Sequence, residues 1–150
     1  MMNTILKKKA IQASATMLVF LLLVIVTIAI AAQGEGYIIA KEGGTVIIDN
    51  DTQLVIPKNA LKEDTLITAK VVYNKNKVKF EFEPEGLVFK KGVYLQKSLD
   101  AMGDADGFTL YYAPDPNDLD NYTEEIEPDV SEDNVTWSLE HFSIYYHRRR

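Results

Sequence analysis

An all-β fold is what this sequence predicts: an antiparallel β-sandwich preceded by one N-terminal hydrophobic helix. Three observations lead there. Short apolar runs rich in β-branched and aromatic residues recur along the chain, with turn signals at intervals of about eight to twelve residues. The stretch Val78-Lys-Phe-Glu-Phe-Glu83 alternates strictly, Val78, Phe80 and Phe82 against Lys79, Glu81 and Glu83, which is the period of a strand with one buried face. Beyond the leader, no stretch keeps an apolar stripe at helical spacing, and no repeat of propeller or solenoid length is visible.

The leader is read first. Lys7, Lys8 and Lys9 precede an uncharged run from Ala10 to Gly34. As a helix rising about 1.5 Å per residue, such a run crosses a hydrocarbon core of about 30 Å. Residues 1–14 are then a basic cytoplasmic leader and 15–32 a membrane anchor, with the remainder outside the cytoplasm. The alternative is a cleavable signal peptide, for which Ala29-Ile30-Ala31 supplies a small-x-small pattern. The length of the apolar run favours the anchor.

Composition narrows what the exported part does. The 150 residues contain no cysteine, so there is no disulfide framework, thiolate metal site or cysteine nucleophile. Only two histidines are present, His141 and His147, too few for a histidine-rich zinc site. Net charge is −6, which makes nucleic acid a poor partner. Residues 98–147 hold thirteen acidic and no Lys or Arg residues, a half that either recruits basic partners, loosely holds divalent cations or simply stays solvated.

In chain order, Gln33-Gly-Glu-Gly36 reads as a flexible spacer and Tyr37 to Ala40 as a first short strand, together 33–42. Gly43-Gly44 opens the sandwich proper, expected over 43–146. Thr45 to Ile48 and Leu54 to Ile56 form a hairpin through the turn-prone Asp49-Asn-Asp51. Pro57 to Asp64 is an irregular link. Leu66 to Tyr73 and Val78 to Glu83 follow, the latter closed by Pro84-Glu-Gly86. Leu87 to Phe89 and Val93 to Leu95 read as two strands around Lys90-Lys-Gly92, and 100–107 as a polar loop. Phe108 to Tyr112 is another strand. The acidic segment 113–133 is largely irregular, with a candidate strand at Tyr122 to Ile126, and 147–150 is a basic tail.

The closing stretch Val135 to Tyr146 reads as one strand with an anomaly. Val135, Trp137 and Leu139 hold odd positions, whereas Phe142, Ile144 and Tyr146 hold even ones. The buried face therefore changes near Glu140-His141, through a β-bulge or a bend that carries the chain from one sheet to the other.

Four pieces of sequence, in order, resemble a known module: Gly43-Gly44-Thr-Val, Leu54-Val-Ile-Pro-Lys-Asn-Ala-Leu-Lys-Glu-Asp-Thr-Leu-Ile-Thr68, Phe82-Glu-Pro-Glu-Gly-Leu-Val-Phe89, and His141-Phe-Ser-Ile-Tyr145. Their order and spacing resemble the Zu-five domain of zona occludens proteins, uncoordinated-five proteins and ankyrins. The resemblance implies a β-sandwich used as a protein-interaction platform, without a cofactor; in ankyrins the related domain binds spectrin. It also implies that Asn59 occupies a position often held by Gly. In some death-domain signalling proteins the module ends in the same His-Phe-Ser triplet and cuts its own chain before the serine, which corresponds here to the Phe142-Ser143 bond.

That chemistry needs the Ser143 hydroxyl to attack the Phe142 carbonyl and a base to take its proton. His141 is the candidate base, because residues two apart in a strand share a face. The competing and favoured reading is structural: Phe142 and Ile144 in the core, His141 and Ser143 bonded to neighbouring backbone. Other candidates are weaker. Asp104-Ala-Asp-Gly107 lacks the acids an EF-hand needs at Met102 and Ala113. Asn121 and Asn134 head glycosylation triplets, Arg148 to Arg150 discourage pairing along the last strand, and Tyr111-Tyr112 with Tyr145-Tyr146 are either an aromatic patch or core. The expectation is a non-catalytic, membrane-tethered or secreted interaction module with an unidentified protein partner, no cofactor, no metal, no nucleic acid and no small-molecule substrate. Self-processing at Phe142-Ser143 is the alternative.

Overall fold

The computed structural model describes residues 30–74, 77–102, 108–115, 118 and 121–148. Among these residues eleven strands make two sheets, with one helical turn beside them. In chain order they are β1 (Ile30–Ile38), β2 (Gly44–Ile47), β3 (Thr52–Ile56), β4 (Thr65–Tyr73), β5 (Lys77–Glu83), β6 (Val88–Ser98), α1 (Leu99–Met102), β7 (Leu110–Ala113), β8 (Glu124–Ile126), β9 (Asp129–Val130), β10 (Asn134–His141) and β11 (Ile144–Arg148). One sheet has the order β1-β4-β5-β11-β7-β8 and the other β2-β3-β6-β10-β9, with every pairing antiparallel. The all-β expectation holds. Most of the leader lies outside the described residues; among those described, no helix is long and apolar enough to cross a membrane.

The core lies between the sheets. Val78, Phe80 and Phe82 point into it, as the alternation of β5 predicts, and meet Trp137 and Leu139 of β10 and Phe142 from the opposite side. Trp137 is fully buried and donates its indole N–H to the Phe108 carbonyl at 2.7 Å, so its polar end is satisfied as burial requires.

Strand β1 corrects two boundaries. The sequence pattern places Ile30 to Gly36 in the end of the anchor and a flexible spacer, yet they pair with β4 from Tyr73 to Ile67. The glycines there serve close approach. A Cβ at Gly34 would overlap the backbone carbonyl of Ile47, and one at Gly36 would sit 3.2 Å from the Val46 side chain. β1 and β2 leave the Ile39–Gly43 bridge as the arms of a hairpin that divides between the two sheets. At Gly34 only a residue without a side chain fits where the arms cross, whereas at Gly36 the contact is merely tight.

Two further expectations change. Val88-Phe89 and Val93 to Leu95 belong to one strand, β6, with Leu87 just before it, because the chain continues through Lys90-Lys-Gly92 as an irregular stretch against β10. Gly92 permits this, since a Cβ there would collide with the Ser138 hydroxyl. The start of the expected polar loop is the single helical turn α1, whose Met102 is buried. Asn59 has φ +60, the left-handed region in which Asn is the commonest substitute for Gly.

Candidate functional site

The closing stretch is two strands in different sheets. β10 ends at His141 between β6 and β9, and β11 begins at Ile144 between β5 and β7. Phe142-Ser143 is the crossing. The expected irregularity is present as a register shift: the step from Leu139 to His141 is matched on β6 by the longer step from Val93 to Val88. Most of the extra residues are therefore on β6.

The facing of β11 differs from expectation. Tyr145 and His147 point to the core, opposite Phe80 and Val78 of β5, whereas Ile144 and Tyr146 lie on the outer face beside Glu81 and Lys79. Tyr146 is nevertheless buried. Tyr111 stacks on it at 5.4 Å, Tyr122 packs on Tyr111 at 4.5 Å, and the Lys77 ammonium lies 5.6 Å from its ring centre. An aromatic cluster on the outer surface explains an apolar residue at an even position, which sequence alone assigns to the core. The Tyr111-Tyr112 and Tyr145-Tyr146 pairs thus split, one of each inward and one outward. His147, expected in a basic tail, is a buried strand residue with Nδ1 3.1 Å from the Thr109 carbonyl. A carbonyl only accepts, so that nitrogen carries a proton.

At the crossing, Phe142 packs face to face on Phe82 at 5.1 Å and edge-on to Phe89 at 4.8 Å. Its amide donates to the Leu87 carbonyl at 2.8 Å, and its carbonyl accepts the Gly86 N–H at 3.0 Å. Gly86 has φ +73, so the Pro84-Glu-Gly86 turn can present that N–H. Ser143 is buried, at the junction of two clefts. One, of about 270 Å³, is lined by Gly86, Tyr112, His141 and Phe142; the other, of about 400 Å³, by Lys70, Glu81, Glu83 and Ile144.

His141 and Ser143 are close in sequence but are not joined. Tyr145 donates its hydroxyl to the His141 carbonyl at 2.8 Å and lies 3.4 Å from Nδ1, while Nε2 is 4.0 Å from a Glu124 carboxylate oxygen. Tyr112 packs edge-on against the ring at 4.9 Å. Among the described residues no hydrogen bond links the imidazole to the Ser143 hydroxyl. The two-residue spacing fails as a guide because the chain turns between sheets at that point. Burial, with the negative charge of Glu124 nearby, pushes the Tyr145 hydroxyl well above its ordinary range. It stays a neutral donor.

A second polar group was not legible in the sequence. Lys97, on the inward face of β6, is 1 % exposed. Its ammonium donates to Thr52 Oγ1 at 2.9 Å and to the Tyr73 hydroxyl at 3.0 Å, and sits 5.1 Å from the Tyr73 ring centre. Tyr73 in turn donates to Asp49 at 2.5 Å. Burial and the Asp49 hydrogen bond push the Tyr73 pKa up to about 12. Burial also works against the Asp49 charge, but the Tyr73, Asp51 and Thr52 hydrogen bonds and the Lys97 charge outweigh it and hold the carboxyl below its ordinary range. The parity of Lys97, shared with Val93 and Leu95, was the available signal.

Among the described residues no three metal-ligating side chains converge. No protein-family model matches the chain, and comparison with curated proteins returns no match. The Zu-five resemblance rests on the four quoted motifs.

Proposed function

We propose that this chain is a non-catalytic interaction or structural module of the Zu-five kind, tethered to the membrane and displayed outside the cytoplasm. The supporting observation is an apolar patch on the outer face of the six-stranded sheet. Tyr37 and Leu66 are direct cross-strand partners on β1 and β4, 65 % and 55 % exposed, and the exposed Ile39 follows Tyr37. Adjacent exposed apolar side chains mark contact surfaces more often than scattered ones do. The protein partner is unidentified. Tethering rests on the uncharged run that precedes β1: with Ile30 in the sheet, the uncharged sequence from Ala10 to Ala29 is long enough, at about 1.5 Å per helical residue, to cross a hydrocarbon core of about 30 Å. Secretion after cleavage near Ala31 is the alternative, and it would trim only the start of β1.

A photo-crosslinking residue placed at Tyr37 in the full chain tests this reading. It should give a discrete adduct in membrane fractions that Leu66→Lys abolishes. A smear insensitive to Leu66→Lys removes the reading.

The second reading is one self-cleavage at Phe142-Ser143. It is favoured by the Gly86 N–H, which already polarises the Phe142 carbonyl. In this scheme Ser143 Oγ attacks that carbonyl carbon, and its proton passes to the His141 imidazole once the ring turns away from Tyr145. The Phe142-Ser143 C–N bond breaks as the Ser143 nitrogen takes a proton, leaving an ester. Water then opens the ester, releasing the Phe142 carboxylate and restoring the Ser143 hydroxyl.

A further inference from the structure

The outer face of the five-stranded sheet carries a cleft with a different chemistry from the apolar patch. It has a volume of about 390 Å³ and lies where the Asp49–Asp51 turn meets the ends of β6 and β10. Its lining side chains include Asn50, Gln53, Gln96, Ser98 and Asn134, with Ile47 the sole apolar one among the described residues. Among the described residues no basic side chain lines it, and Asp49 and Asp51 do, so an anion is repelled by that wall. An apolar ligand finds almost no apolar wall.

The walls are fixed in place. Gln53 and Gln96 are cross-strand partners, and the Gln53 amide nitrogen donates to the Gln96 side-chain oxygen at 2.9 Å. This bond orients both amides and leaves an acceptor on Gln53 and a donor on Gln96 with no other protein partner among the described residues. The Asp49–Asp51 turn is pinned by the Ser98 N–H on the Asp51 carbonyl at 2.8 Å and by the Asp51 N–H on the Asp49 carboxylate at 2.9 Å. The second Asp49 oxygen is bonded to Tyr73, so the cleft offers neutral amides and hydroxyls together with the Asp51 carboxylate as an acceptor.

A preorganised donor beside a preorganised acceptor suits a ligand whose own groups both donate and accept, which is the property of hydroxyls. Tyr94 lies two residues before Gln96 and is 39 % exposed on the same sheet face. It offers an aromatic surface within about 13 Å of Ser98 along the strand. We propose that this face is a binding site for a neutral glycan chain, held by the Gln53–Gln96 pair and Asn134, with one sugar ring against Tyr94.

The test is affinity electrophoresis and calorimetry of the full chain in mild detergent. The neutral probes are laminarin, xyloglucan, mannan and chitohexaose; hyaluronate and polylysine are the charged controls. At least one neutral probe should bind, and Gln96→Ala should weaken it about tenfold, the loss of roughly one hydrogen-bonding partner. Asn134→Ala, at an exposed strand start, provides a second variant if Gln96→Ala perturbs folding, and should weaken the same probe. Gln33→Ala, on the other sheet, should leave binding unchanged. The proposal is overturned if no neutral probe binds, if only hyaluronate or polylysine does, or if neither cleft variant weakens binding.

Discussion

The Gly86 amide donates to the carbonyl of Phe142 at 3.0 Å, while the neighbouring Leu87 carbonyl accepts the Phe142 amide at 2.8 Å. This two-bond clasp holds the peptide at which the chain passes from the five-stranded to the six-stranded sheet. The crossing is thereby satisfied on both sides of Phe142. The same clasp places an N–H donor on the carbonyl that self-cleavage would attack, so one contact serves both readings of the triplet.

Intact mass measured under denaturing conditions separates those readings. With the His141 ring engaged by Tyr145 and no bond to Ser143, we expect a single uncut species that ages unchanged. Denaturation is necessary, because β11 is paired on both sides by β5 and β7 and a cut segment would stay docked. Loss of the mass from Ser143 onward, blocked by Ser143→Ala, would instead establish self-processing.

Gly34 and Gly86 should respond to alanine for different reasons. At Gly34 the added methyl meets the Ile47 backbone carbonyl, which cannot move without opening the β1–β2 corner. Gly34→Ala should cost about 1–3 kcal/mol, the usual range for overpacking. At Gly86 nothing lies within 4 Å of the new methyl, and the cost is that of the left-handed backbone alone, about 1–2 kcal/mol. Urea titrations measure both. A further Gly→Val step at each site discriminates them, since it should deepen the loss steeply at Gly34.

How far these features were legible from sequence depends on whether the signal was local. Strict alternation in β5 announced its facing, and the parity change after Leu139 announced a discontinuity, because both follow from the two-residue period of a strand. What covers a face is not local. Tyr146 was assigned to the core since nothing in its neighbourhood reveals that Tyr111 and Tyr122 would fold over it. Gly34 looked like linker because flexibility and close packing call for the same residue. The spacing of His141 and Ser143, which makes the pair a candidate base and nucleophile in the self-cleavage alternative, carries no weight once the chain turns at Phe142. Lys97 went unnoticed because its partners, Thr52 and Tyr73, come from other strands.

Asn59 offers a stabilising change. Its φ of +60 is tolerated by Asn and preferred by Gly, and its N–H is satisfied by the Ala40 carbonyl at 2.7 Å. Asn59→Gly should therefore be neutral or raise the thermal midpoint slightly. Asn59→Ala should destabilise by about 1 kcal/mol, since alanine enters the left-handed region less readily than asparagine does. Equal midpoints for the two variants would contradict this account.

The Asp49 network predicts a definite acid response. The Asp49 carboxyl is held below its ordinary value of 3.8 in the folded chain, so the unfolded chain binds a proton more readily than the native one. Stability from this group is present above about pH 4 and is lost as pH falls through the folded value. Glu81 acts in the same window: burial opposes its charge, but Lys79 and Lys70 outweigh that and hold it low, at 2.5 Å and 3.2 Å respectively. Asp49→Asn should lower the urea midpoint at neutral pH, where the Tyr73 hydroxyl and the buried Lys97 lose their anionic neighbour. It should also flatten, without abolishing, the decline as pH falls below about 4. Glu81→Gln should flatten that decline separately and leave the Lys97 site intact. An unchanged acid slope in Asp49→Asn would mean that the carboxylate is not what balances the buried ammonium.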